Sequence, residues 1–248
     1  MQIYIFFHFA WAYSPIFVTF AYEIEVIMNK WLKRKRNTLG YGVQSPNDFY
    51  FVRHVLREQS PYYGYAAIRE IQKKYAPHVP CYPESIDRLL FRLANYTQPK
   101  TIVEVGAGLS IFAMAEARPS AMCVAVTSSS MCSKAIQPLL SDYPQVEVKN
   151  SDEMAFFRDI LRSLGTIGLL HIAHTAHYRE IVDTALPYTT DRTLIIIEDI
   201  RAEKEKQDWW KSMQENSSTG ISYDLGSIGL LFFDRSRHKN TYWINLKD

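Results

Sequence analysis

Cysteine is scarce in this chain and badly spaced for chemistry. Three occur in 248 residues, Cys81, Cys123 and Cys132. No pair has the two-residue spacing of a redox or thiolate metal motif, and an odd count cannot close a disulfide framework. They read as free thiols of a reducing compartment, with Cys123 placed in an apolar run that reads as core. An excess of one charge is also missing. The net charge is +2, which leaves no electrostatic case for a nucleic-acid partner. There is no internal repeat, no low-complexity linker and no Ser-His-Asp order on a nucleophile elbow. What is present is 47% hydrophobic and 14% aromatic residues, which suits one packed α/β domain with appendages.

The first 22 residues lack Asp, Glu, Lys and Arg altogether. A run of that length can span a bilayer. Lys30, Lys33, Arg34, Lys35 and Arg36 follow it, so a span would leave the rest of the protein on the cytoplasmic side. No basic n-region and no small-residue cleavage site mark it as a cleaved secretory signal. Three readings stand open: a start assigned too early, with the chain beginning at Met28; an inner-membrane anchor through residues 1–22; and a buried helix. The first implies a cytoplasmic protein, and a membrane is a partner only under the second.

Patterning divides the remainder. Residues 1–27 form a hydrophobic extension, 28–98 an N-terminal helical region and 99–248 an α/β domain. Ser45-Pro46 predicts a helix start, Ser60-Pro61 a second, and Pro83 to Tyr96 a third with Ile86, Leu89, Leu90 and Leu93 on one face. After Pro99, five predicted strands (Thr101–Val105, Cys123–Thr127, Val146–Asn150, Gly168–Ala173, Leu194–Glu198) alternate with helices. That predicts a Rossmann-like, mostly parallel sheet with helices on both faces. The predicted helices are Ser110–Ala117, Ser130–Leu140, Glu153–Leu164, His177–Leu186 and Glu203–Asn216. Ile221–Leu225, Ile228–Phe233 and Thr241–Leu246 are short strands with short turns, which predicts an antiparallel C-terminal ending.

Between the first strand and its helix stands Glu104-Val105-Gly106-Ala107-Gly108-Leu109-Ser110. A strand running into glycines lets a ligand approach the backbone without meeting a Cβ. The helix behind aims unpaired N–H groups at that ligand. A dinucleotide fingerprint would need a third glycine where Ile111 stands, which disfavours a nicotinamide oxidoreductase.

From about Trp31 to Leu246 the chain resembles the class I S-adenosylmethionine-dependent methyltransferases. It is most similar to a bacterial group found in Bacteroidetes that resembles small-molecule O-methyltransferases. Three stretches carry the resemblance: Gly40-Tyr41-Gly42-Val43-Gln44-Ser45-Pro46, close to that group's H-G-V-H-S-P; the glycine loop; and Ile195-Ile196-Ile197-Glu198-Asp199-Ile200 with Ile228-Gly229-Leu230-Leu231-Phe232-Phe233. The resemblance implies S-adenosylmethionine as cofactor and a small-molecule substrate. Glu104, Gly106, Gly108 and Ser110 would form its loop. Ser128 stands where an acidic residue would hold the ribose, so an aspartate there would be expected to tighten binding. Asp152 is either an adenine contact or the N-cap of the next helix.

The fourth strand departs from the group's D-G-x-H ending and reads His171-Ile172-Ala173-His174-Thr175-Ala176-His177. With His177 on the group's histidine, His174 takes the aspartate's place. The resemblance then implies a divalent-metal site of His174, Glu198 and Asp199, against a decayed site in which Asp199 only positions a loop. The three histidines do not read as a zinc site of their own, because in a strand the middle one faces away. His171 reads as a satisfied core or interface histidine. Trp209 and Trp210 read as packing on the sheet, Tyr62, Tyr63 and Tyr65 as a lid or as filling of the helical layer, and Lys30–Arg36 as a solvated helix end. The implied reaction is attack of a substrate oxygen on the cofactor's methyl group. His177 would be the base, since imidazoles titrate near neutral pH, and Asp199 its catalytic companion. The competing reading is a catalytically silent protein of the same fold that serves as a binding or scaffold module. The acceptor and the oligomeric state cannot be read from the sequence.

Overall fold

The computed structural model describes residue 28 and residues 31–246 except 80, 107 and 174. The charge-free run over 1–22, in all three of its readings, and His174 lie outside the described residues.

Five strands pair in parallel: β1 (Thr101–Val105), β2 (Met122–Thr127), β3 (Val146–Asn150), β4 (Leu169–Ile172) and β5 (Leu194–Ile197). β6 (Ile221–Asp224) and β7 (Gly229–Phe232) form an antiparallel hairpin, and β7 also runs antiparallel to β5. β8 (Asn240–Trp243) adds an edge strand. The sheet order is β3-β2-β1-β4-β5-β7-β6-β8. The expectation that short connections force antiparallel pairing holds for the hairpin and fails for β8. β7 already has β5 and β6 on its two edges, so the returning strand takes the free edge of β6 and runs parallel to it.

Among the described residues the strands are accompanied by the helices α1 (Pro46–Phe51), α2 (Tyr65–Tyr75), α3 (Glu84–Thr97), α4 (Ser110–Ala117), α5 (Ser130–Ile136), α6 (Glu153–Leu164), α7 (Tyr178–Ala185) and α8 (Lys204–Glu215). Residues 31–38 are helical as well. Ser45 caps α1, its hydroxyl accepting from the Asp48 amide, with Pro46 in the first turn. The second helix starts later than Ser60-Pro61 predicts. Tyr62 first accepts from the Tyr65 amide in a turn, and Gly64 lies so close to the Phe91 ring that a Cβ would meet it at 2.4 Å. α5 stops short of Leu140, because Pro138 lies in a 3₁₀ turn over Gln137–Ser141.

Strand alternation sorts the core onto two faces. Ile102, Leu169, Leu194 and Ile196 pack with Leu89, Leu90, Phe91 and Leu93 of α3 and with Ile111 and Phe112 of α4. Val103, Val105, Leu170, Ile195 and Ile197 pack with Phe157 and Leu161 of α6, Ile181 and Val182 of α7, and Trp209 and Trp210 of α8. Both tryptophans are buried on the sheet, as predicted. Gly229 makes room for one of them, since a Cβ there would sit 2.6 Å from the Trp210 ring.

The basic run before residue 37 is only partly a solvated helix end. Arg34 is largely buried and pairs with Asp224 at 2.7 Å while donating to the Ile244 carbonyl at 3.0 Å. A second buried acid ties the helical region to the sheet. Asp48 of α1 accepts from Tyr223 at 2.7 Å, from Tyr242 at 3.2 Å and from Arg237. Asp48→Ala leaves two buried phenols and a guanidinium without their acceptor. It is expected to lower unfolding free energy by about 3 kcal/mol; an unchanged denaturant midpoint would show that the cluster contributes nothing.

Candidate active site

Glu104, His171 and Glu198 share one face of the sheet. Each has the strand parity of Ile102, Leu169 or Ile196, so all three point toward the layer that holds α3 and α4. β1 and β4 pair with Glu104 opposite His171, and Glu198 follows directly on β5, its amide bonded to the Ile172 carbonyl. The side chains form a buried chain. His171 Nδ1 lies 2.9 Å from Glu104 Oε2, and Nε2 lies 3.2 Å from Glu198 Oε1. All three residues are at most 1% exposed. Burial alone would push the imidazole down. The two carboxylates outweigh it and carry His171 up to about 10, so the ring is an imidazolium at neutral pH. The reading of His171 as a satisfied core histidine is right as far as it goes; its neighbours are two acids.

The other oxygen of Glu104 reaches forward. Oε1 accepts from the Gly108 amide at 3.1 Å, within the glycine turn. Gly106, at the end of β1, has φ +82°, a conformation that a Cβ strains. α4 then begins without a side-chain cap, so its first amides have no acceptor from that source. Ser110 is buried and its hydroxyl donates to Asp87 Oδ1 at 2.8 Å. The other Asp87 oxygen accepts from Gln72 at 2.6 Å. Burial pushes the Asp87 carboxyl up to about 6, against the pull of those two bonds. Tyr82 stands over the same cluster, its ring 6.4 Å from that of His171. Burial and the charges of Glu198, Asp199, Glu104 and Asp87 hold its phenol well above the usual range.

β2 ends beside a second acid that the sequence reading passed over. Ser128 is exposed, and both its amide and its hydroxyl lie within bonding distance of Glu153, the first residue of α6. Asp152 caps that helix, accepting from the Ala155 amide at 2.7 Å. The cap alternative is therefore the geometry found.

His177 and Asp199 come together on one cavity of about 850 Å³ between α7 and α8. Asp199 also borders a second cavity of about 810 Å³ under the helical region, with Glu198, Tyr82, Arg88 and Arg92. Asp199 is exposed and left-handed, at φ +53°, a strained position that often marks a functional turn. Glu198 and Asp199 stand in different surroundings. Glu198 is buried against an imidazolium, which already neutralises its carboxylate and would repel a cation. Among the described residues no group of three or more His, Cys, Asp or Glu could hold a metal ion. The metal set of His174, Glu198 and Asp199 thus has one member outside the described residues and one committed elsewhere.

Two signals for this site were in the sequence. Glu104 and His171 each interrupt an apolar strand at its carboxyl end, and strand parity puts them on one face. Asp87 and Glu153 carried no such signal, since their partners are 23 and 25 residues away.

The imidazolium has a pH signature. The unfolded histidine loses its proton near 6.5, whereas the folded one holds it to about 10. Between those values the folded state binds more protons, so stability falls as pH rises through the window. Chemical denaturation across that range is expected to show the decline, and a flat profile would mean a ring that is neutral in the folded state. His171→Ala should cost about 3–5 kcal/mol at neutral pH by leaving two buried acids without their cation.

No known family profile matches the chain, and no curated protein does. Solved structures match it in fold. The O-methyltransferase from Bacillus cereus in complex with SAH aligns with a TM-score of 0.57 at 14% identity, covering 73% of this chain and 96% of that one. The SAH-bound methyltransferase PaMTH1 from Podospora anserina gives 0.56 at 14% identity over 76% and 96%. The O-methyltransferase TomG from Streptomyces achromogenes, in complex with SAM, gives 0.52 at 15% identity over 70% and 91%. The likeness is one of architecture: this chain has the Rossmann-like fold of the class I methyltransferases.

Proposed function

We propose that the chain is a methyltransferase that uses S-adenosylmethionine (SAM) to methylate an oxygen of a small-molecule acceptor. The observation that carries this reading is the glycine turn at the end of β1, with its amide pinned by Glu104. It lies in the crevice where the connections from β1 and β4 diverge, the place where open α/β sheets take ligands. The residues fit the cofactor. Gly106 has no side chain to block the approach. The uncapped start of α4 offers amides, with Ser110 contributing its backbone because its hydroxyl is committed to Asp87. Ser128 and Asp152 flank the adenosine end. We also assign the molecule to the bacterial cytoplasm, with residues 28–98 as a helical region over an α/β domain of 99–248. Among the described residues no helix is long and apolar enough to cross a membrane.

SAM supplies an electrophilic methyl group on a sulfonium when bound. The protein's part is orientation and proton removal. Glu104 holds the loop, and through His171 it is tied to the turn that carries Asp199. The acceptor lies against Asp199, where the two cavities meet, and His177 takes the proton from its hydroxyl. No step passes through a metal, because Glu198 is already paired with His171.

Calorimetry of the full chain with SAM and with S-adenosylhomocysteine (SAH) tests the reading, followed by transfer of labelled methyl groups to a panel of hydroxylated small molecules. One-site binding of both ligands is expected. Gly106→Val should abolish it while near-ultraviolet circular dichroism stays native. Absence of binding by the wild type refutes the assignment, and binding without turnover on any acceptor would favour the silent scaffold.

A further inference from the structure

Among the described residues, Glu153 is a buried carboxylate without a cation beside it. The residue is 8% exposed, and its oxygens take only neutral donors. Oε1 accepts from the Ser128 amide at 3.4 Å and the Ser128 hydroxyl at 3.3 Å, and Oε2 accepts from the Thr175 hydroxyl at 2.7 Å. Among the described residues it forms no ion pair with Lys, Arg or His. Leaving a charge buried and unpaired is costly. A structural residue need not bear that cost, since a glutamine oxygen would accept from the same hydroxyls.

Its location gives the charge a use. Ser128 is the first residue past β2 and Thr175 lies past β4, on either side of β1 and its glycine turn. The carboxylate therefore stands at the carboxyl ends of the strands, next to the loop over which the cofactor would lie. A nucleoside whose tail passes Gly106 sets its ribose beside the end of the neighbouring strand. The vicinal hydroxyls are two donors, and a carboxylate offers two acceptors with about twice the strength of a neutral partner. Ser128 is exposed, so its hydroxyl can turn aside for a ligand. The Asp152 cap fixes where α6 begins and so where Glu153 stands.

We propose that Glu153, reaching across from α6, receives the ribose hydroxyls of the cofactor in place of the acid that β2 does not carry. This rests on the methyltransferase reading above. It reverses the expectation for Ser128→Asp. With Glu153 already 3.3 Å from the Ser128 hydroxyl, a second carboxylate there meets like charge and weakens binding.

Calorimetry on the full chain with SAH and its 2′-deoxyribose analogue decides the matter. The wild type is expected to bind the deoxy analogue about tenfold more weakly. Glu153→Gln should bind SAH at least about tenfold more weakly than wild type and lose the distinction between the two ligands. Adding Ser128→Asp to that variant should restore affinity and discrimination, whereas Ser128→Asp alone should weaken both. Wild-type affinity in Glu153→Gln, or lower affinity with the ligand ratio intact, overturns the proposal while leaving the methyltransferase reading in place. If Glu153→Gln does not fold, Ser128→Asp alone decides: weaker SAH binding supports the proposal and tighter binding overturns it. A wild type that binds neither ligand fails the methyltransferase reading, and this inference falls with it.

Discussion

Two carboxylates buried at the carboxyl ends of β1 and β5 require a cation between them, and the imidazolium of His171 on β4 is that cation. Much of the site's geometry follows from this constraint. The three central strands must keep the register that puts Glu104 opposite His171. The outer oxygen of Glu104 is left free to hold the Gly108 amide, so the conformation of the glycine turn is set from beneath by a charge. At the other end, Glu198 is drawn into the sheet while Asp199 turns outward in a left-handed conformation. One charged chain thus connects the loop at β1 to the turn at β5.

The helical region completes the site by covering this chain with groups that tolerate it. Asp87 adds a third acid, and burial raises it toward neutrality. Ser110 and Gln72 satisfy its oxygens, which joins α2 and α3 to the first turn of α4. Tyr82 contributes a phenol that stays neutral among four acids. The 14% aromatic content noted in the composition is spent partly here. Tyr62, Tyr63 and Tyr65 all pack edge-on to Phe91, Tyr62 and Tyr65 filling the layer and Tyr63 from its exposed side.

Legibility followed the range of the interactions. Four of the five parallel strands could be read because they are apolar runs buried almost throughout, and the edge strand β3 because its short Val-Glu-Val alternation follows a turn. Ser45 with Pro46, and Asp152 before α6, could be read as helix starts because capping is settled within three residues. The delayed start of α2 could not, because it depends on how close Gly64 comes to Phe91 in another helix. Arg34 looked like one of several solvated cations until Asp224, 190 residues on, proved to be its partner. The parallel pairing of β8 depends on which sheet edge remains free, and no local pattern records that.

The sequence by itself determined the alternation of strands and helices, the glycine turn and the chemical identity of each group in the site, since these depend on composition and short spacing. It also contained, through strand parity, the face on which Glu104, His171 and Glu198 meet. Only the tertiary structure decided what those groups do. Whether a histidine is neutral core or a shared cation depends on which acids lie within about 3 Å of its ring. Whether the end of β2 has a carboxylate beside it depends on Glu153, which comes from α6 beyond the next strand. Distances of that kind are set by packing layers against one another, and charge states follow from the distances.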